Sequence, residues 1–222
     1  MSWHIAAVLC ASVAVMIVTA VAIFDLFAEG SATAVTAGTA VSPLAALLFS
    51  ALLLPAGAPT AEIVAAAIVA SAVLFALTDS FAELTRGRAA SLLGISAAGN
   101  GLLTVLGKEL VDAGAGVVEI YLVRTSIAAI VLTAVFPPRD LPLRELPRMA
   151  ARASAITASF LLILVGLQHG SATSVQTTVA TAPLMLVAAE LVFRRRRPSG
   201  RVVLASVCAL AGVAVVLGWG GG

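Results

Sequence analysis

The sequence predicts an all-α integral membrane protein with about eight transmembrane helices. Three observations lead there. Hydrophobic residues make up 61% of the 222 positions and charged residues only 11%, whereas soluble domains run at roughly 45–50% and about 25%. So few charges cannot cover a water-facing globule, and so apolar a chain is not disordered. The apolar residues also run continuously for about 15–23 positions, enough for a helix across a bilayer core of roughly 30 Å. A membrane barrel would instead alternate over segments of about ten residues. Finally, the charges collect between these runs.

The first run is Ile5–Phe24. Its Ala20-Val21-Ala22 has the look of a cleavage site, but residues 1–4 carry no Lys or Arg and the run is too long for a signal peptide, so it reads as a span. Ala32–Leu54 follows and is closed by Pro55, Gly57 and Pro59; Ile63–Leu77 is shorter. The polar connection Thr78–Ala89 divides the chain. Beyond it come Ala90–Leu106, Val117–Phe136 (closed by Pro137-Pro138), Ala153–Leu167 (closed by Gly170), Ala172–Phe193 (closed by Pro198 and Gly200) and Val202–Gly218.

Loops 78–89, 137–152 and 194–201 hold eleven of the thirteen basic residues. With eight spans these loops share one side, which the positive-inside rule makes cytoplasmic, leaving both termini outside. Lys108 is alone on the opposite side and Arg124 lies inside a span. A net charge of +2 gives no reason to expect nucleic acid. Cys10 and Cys208 lie in apolar runs and read as small buried hydrophobes, not as a disulfide framework or metal site. The sequence carries no Gly-x-Ser-x-Gly, His-Glu-x-x-His or phosphate loop, so no enzyme is expected.

The chain also repeats itself. Residues 30–44, GSATAVTAGTAVSPL, align with residues 170–184, GSATSVQTTVATAPL, at eight of fifteen positions. Spans one to three therefore recur as spans six to eight. Five spans separate equivalent helices, so the copies enter the membrane from opposite sides. Inverted repeats mark secondary transporters, whose site lies between the halves near the midplane. Pro43 and Pro183 would bend equivalent helices, either around one cavity or as tolerated packing kinks.

These residues resemble the EamA-like half of the drug/metabolite transporter superfamily. The likeness rests on the two GSAT segments, each followed by a span with Pro-Leu, and on LLGISAAGNGLLTVLGKELV at 92–111. It extends to Arg124 within VRTSIAAIVL, Gly200-Arg201 and Ala211-Gly212-Val213. The resemblance implies two inverted repeats of five helices, movement of small metabolites, amino acids or toxic compounds across the cell membrane, and no cofactor. Residues 1–78 would be an incomplete first repeat of three helices, 79–89 a linker and 90–222 a complete second repeat. Two departures stand out: the first repeat lacks the counterpart of two helices, and the acidic residue the family often carries after the proline helix is absent. The implied function is a multi-pass secondary carrier of small solutes or drug-like compounds, working by alternating access. The alternative is a truncated, non-transporting module that needs a partner chain. The expected partners are the lipid bilayer and a small-molecule solute, with room for a homodimer.

Polar residues inside spans suggest the site. Arg124 and Tyr121 share a helix face, while Glu119 lies about 140° round from Arg124 and is not its natural partner. Arg124 is then either a buried lock between helices or a contact to an anionic solute. Ser96, Asn100 and Thr104 form a polar stripe, with Gly99 and Gly101 expected to loosen the helix around Asn100. Gln176 and Thr177 follow the second GSAT. The expected cavity is lined by Asn100, Tyr121, Arg124 and Gln176 and bordered by Pro43 and Pro183. Glu190 and Arg194 form a helical pair, and Gln168 and His169 mark a helix end.

Overall fold

The computed structural model describes residues 3–28, 32–54, 60–76, 87–137, 143–182 and 200–219. Every regular element among them is helical. In order these are α1 (Trp3–Ala28), α2 (Ala32–Leu53), α3 (Thr60–Ala76), α4 (Arg88–Asp112), α5 (Val117–Val135), α6 (Leu146–His169), α7 (Ala172–Val179) and α8 (Gly200–Trp219). Among the described residues, α1, α4, α5 and α6 are each long and apolar enough to cross a membrane. The 26 residues of α1 reach about 39 Å at 1.5 Å each. Large apolar side chains such as Leu52, Ile130, Leu162 and Leu210 are exposed, as a lipid-facing surface requires, and Cys10 and Cys208, expected to be buried, are exposed with them.

α1, α4 and α6 run well past the apolar runs, and in α4 the added charges find partners. α4 continues past Leu106 to Asp112. There Lys108 Nζ lies 2.9 Å from Asp112 Oδ1 and donates at 3.1 Å to the Leu167 carbonyl in the last turn of α6. Glu109 pairs with His4 Nε2 at 2.9 Å. α6 begins at Leu146, within the stretch expected to be loop. Pro147 falls in its first turn, where a missing N–H costs nothing, so the helix takes in Arg148 and Arg152.

The same contacts set the directions of the helices. His4–Glu109 joins the start of α1 to the end of α4, and Arg88–Asp25, at 2.5 Å, joins the start of α4 to the end of α1, so the two are antiparallel. Lys108 places the ends of α4 and α6 on one face. Ser174 Oγ donates to Glu62 Oε1 at 2.9 Å, which joins the starts of α3 and α7.

α4 is the central post. Gly99 and Gly101 do not loosen it, since the helix is continuous from Arg88 to Asp112. They are points of close approach. A Cβ at Gly101 would stand 2.6 Å from the Ala46 amide nitrogen of α2, and one at Gly99 would collide with Thr19 Oγ1 of α1. Small residues let helix backbones meet, which matters where lipid offers no hydrophobic drive to association. Leu106, Leu110, Ile120, Leu164 and Leu167 fill the space between α4, α5 and α6. Val69, Val73 and Ala209 join α3 to α8, where a Cβ at Gly212 would lie 2.9 Å from Val69 Cγ2.

The two repeated segments behave differently. α2 runs through Pro43 for 22 residues. α7 ends after eight, at Val179, with a turn in which the Thr181 amide reaches the Thr178 carbonyl at 3.1 Å. Pro183 lies outside the described residues, as do Glu190 and Arg194. The expected span Ala172–Phe193 is therefore interrupted within its described part.

Candidate functional site

A cavity of about 210 Å³ lies in the middle of the bundle, walled by α1, α4, α5, α6 and α7. Asn100 and Thr104 line it from α4, one turn apart. Tyr121, Arg124 and Thr125 line it from α5, and Gln176 and Val179 from α7. The remaining wall is apolar, with Met16 and Ile23 of α1, Leu103 of α4, and Phe160, Ile163, Leu164 and Leu167 of α6.

A relay of polar side chains holds the cavity together. Thr104 Oγ1 lies 2.7 Å from Gln176 Oε1 and 2.9 Å from the Asn100 carbonyl, so its one proton is shared between them. Gln176 Nε2 donates to Ser42 Oγ at 2.5 Å. These bonds connect α4, α7 and α2, and they bring the two repeated segments into contact. On the other side, the Tyr121 and Thr157 hydroxyls lie 2.6 Å apart and tie α5 to α6.

Arg124 is 6% exposed and faces the cavity. Among the described residues it makes no hydrogen bond or ion pair, and no carboxylate lines the cavity. The helix-to-helix lock expected as one alternative is therefore absent among the described residues. Glu119 is exposed in the first turn of α5, away from Arg124. Gly107 packs against Leu167: a Cβ there would lie 3.1 Å from Leu167 Cδ1, while Arg124 Nη1 would stay at an ordinary contact distance of 3.9 Å.

The structure thus brings Asn100, Tyr121, Arg124 and Gln176 to one cavity. Pro43 does not border it. Pro43 is buried on α2 behind the wall, one residue from Ser42, which reaches the site through Gln176. The polar stripe divides, because Ser96 is buried outside the cavity and only Asn100 and Thr104 line it. Thr177 turns back to donate to the Thr173 carbonyl at 2.7 Å. Gln168 and His169 are exposed at the end of α6. Sequence reading missed Thr157 and the contributions of Met16, Ile23 and Phe160. An apolar residue facing a cavity carries the same signature as one facing lipid.

The family model described as the EamA-like transporter family matches residues 88–218, from the first residue of α4 into the last turn of α8. The chain belongs to the EamA-like transporter family. The matched region holds Asn100, Tyr121, Arg124 and Gln176, while the α1 wall lies outside it. As an EamA-like protein it is a multi-pass membrane transporter of the drug/metabolite type, embedded in lipid and open to small solutes. No curated protein and no solved structure matches the chain.

Proposed function

We propose that this protein is a secondary carrier of small metabolites or drug-like solutes, that it works by alternating access in the cell membrane, and that the Arg124 cavity is its solute site. One observation carries this reading: a buried arginine faces a mid-bundle cavity beside α7, a helix that ends at the cavity wall. Arginine at the centre of a span costs about 2.5–3.5 kcal/mol on insertion scales. Broken helices at the membrane midplane are the usual way carriers present groups to a solute. In this reading residues 1–78 and 90–222 are the two related repeats, inverted with respect to each other, with 79–89 between them. The arginine-rich loops face the cytoplasm.

The test is solute exchange by the purified protein in liposomes, using a mixed panel of labelled small organic compounds. Met16→Trp fills part of the cavity from the α1 side without touching the polar relay. Saturable exchange of at least one compound, blocked by Met16→Trp in a protein that still folds, is the expected result. Exchange unaffected by Met16→Trp would remove the cavity from the pathway. No exchange of any compound would favour a module that needs a partner chain.

A further inference from the structure

We infer that the cavity is selective for small organic monoanions with an apolar body, carboxylates first of all, that it rejects cations, and that it takes zwitterions only weakly. This rests on the carrier reading above and names its substrate class.

The argument comes from sorting the polar groups in the wall by what they already hold. Gln176 is bonded to Thr104 and Ser42, and Tyr121 to Thr157. Three groups are left without a side-chain partner among the described residues: the Arg124 guanidinium, the Thr125 hydroxyl and the Asn100 amide. Arg124 and Thr125 are adjacent on α5, and Asn100 faces the same space from α4. The guanidinium is a fork of donors matched to the two oxygens of a carboxylate. A hydroxyl and an amide beside it can complete that shell.

Charge decides the sign. Among the described residues, the cavity holds one cation and no carboxylate. A bound anion neutralises it. An ammonium group would sit beside a like charge with no counter-ion, which disfavours amines outright and weakens amino acids relative to the acids without their amino group. One arginine matches one negative charge, so a monoanion suits the site better than a dianion. The rest of the wall, with Leu103, Phe160, Ile163 and Leu164, suits an alkyl or aryl body. A volume of about 210 Å³ suits a solute of small-metabolite size.

The experiment uses four probes with one carbon skeleton: hexanoate, hexanamide, hexylamine and norleucine. Binding is measured by calorimetry and by thermal protection of the full chain in lipid nanodiscs. Hexanoate is expected to bind saturably, norleucine more weakly, and hexanamide and hexylamine not at all. Arg124→Gln should weaken hexanoate by about tenfold or more, while Arg124→Lys, which keeps the charge but loses the fork, keeps part of the affinity. If Arg124→Gln does not fold, Thr125→Val and Asn100→Leu in the folded protein should each weaken hexanoate and not create affinity for hexylamine. Hexylamine or hexanamide binding as well as hexanoate overturns the inference, as does hexanoate binding that Arg124→Gln leaves intact. Failure of the carrier reading is distinguishable. Hexanoate bound but never exchanged in liposomes sinks the carrier and keeps the anion site. Exchange of cations blocked by Met16→Trp keeps the carrier and sinks the anion site.

Discussion

Alanine at Gly101 should force apart the two helices that hold the cavity in shape. Its Cβ would stand 2.6 Å from the Ala46 amide nitrogen and 2.7 Å from Ala45 Cβ. Ordinary contact begins near 3.4 Å, so α2 must retreat by about 0.8 Å, and the obstacle is backbone that cannot rotate away. Overpacking of this kind costs about 1–3 kcal/mol, and alanine returns about 0.5–1 kcal/mol of helix propensity. The net loss is about 0–2.5 kcal/mol. Gly94 on the same helix has nothing within 4 Å, so Gly94→Ala should gain about 0.5–1 kcal/mol. Gly99 separates backbone from side-chain obstruction. Alanine there collides with Thr19 Oγ1, a side-chain atom that bonds the Val15 carbonyl at 2.7 Å. Thr19→Ala, which removes Oγ1 and leaves only its Cβ at 3.0 Å, should therefore rescue most of Gly99→Ala and leave Gly101→Ala unrescued. The assay is reversible unfolding in mixed detergent, followed by circular dichroism. Equal stability of the Gly94→Ala and Gly101→Ala proteins would refute the close-packed reading of α2 on α4.

Other outcomes follow from the same contacts. Gln176→Leu removes both relay bonds and should cost about 1–2 kcal/mol, since interhelical bonds in membranes average roughly 0.6 kcal/mol and reach about 1.7; detergent unfolding would show no change if the relay were incidental. Lys108→Met uncaps the Leu167 carbonyl and unpairs Asp112, and a loss of about 0.5–1.5 kcal/mol is expected in the same assay. Tyr121→Phe frees the Thr157 hydroxyl and should raise hydrogen exchange at the α5–α6 contact without unfolding the protein. With Cys10 and Cys208 replaced, a cysteine in place of Asp140 should resist an impermeant thiol reagent in intact cells; labelling there would place the arginine-rich face outside.

Much of the fold could be read from the sequence because lipid imposes one rule on every span. Long apolar runs must be helices, and their charges must lie at ends or in shared polar space. That rule brings Asn100, Tyr121, Arg124 and Gln176 into consideration together, since none of the four is stable against hydrocarbon. It does not say which apolar residues face the same space, so Met16 and Phe160 stay hidden among lipid-facing neighbours. It also misplaces helix ends where charges find partners, as Lys108 and Glu109 do beyond Leu106. The glycines around Asn100 mislead for a related reason. Glycine lowers helix propensity in isolation, but α1 and α2 pack directly on those two positions and hold the helix straight. Pro43 and Pro183 look equivalent in sequence, yet α2 continues through its proline while α7 stops before the described residues end.

The most direct test of the central claim is access to the cavity from each side of the membrane. Thr125→Cys, in a protein without Cys10 and Cys208, places one thiol in the wall beside Arg124. Alternating access predicts that impermeant thiol reagents modify it from either side, in right-side-out and in inside-out vesicles, and that the reagent supplied on one side protects it from the other. Modification from a single side under every condition, or from neither, would contradict a carrier that works through this cavity.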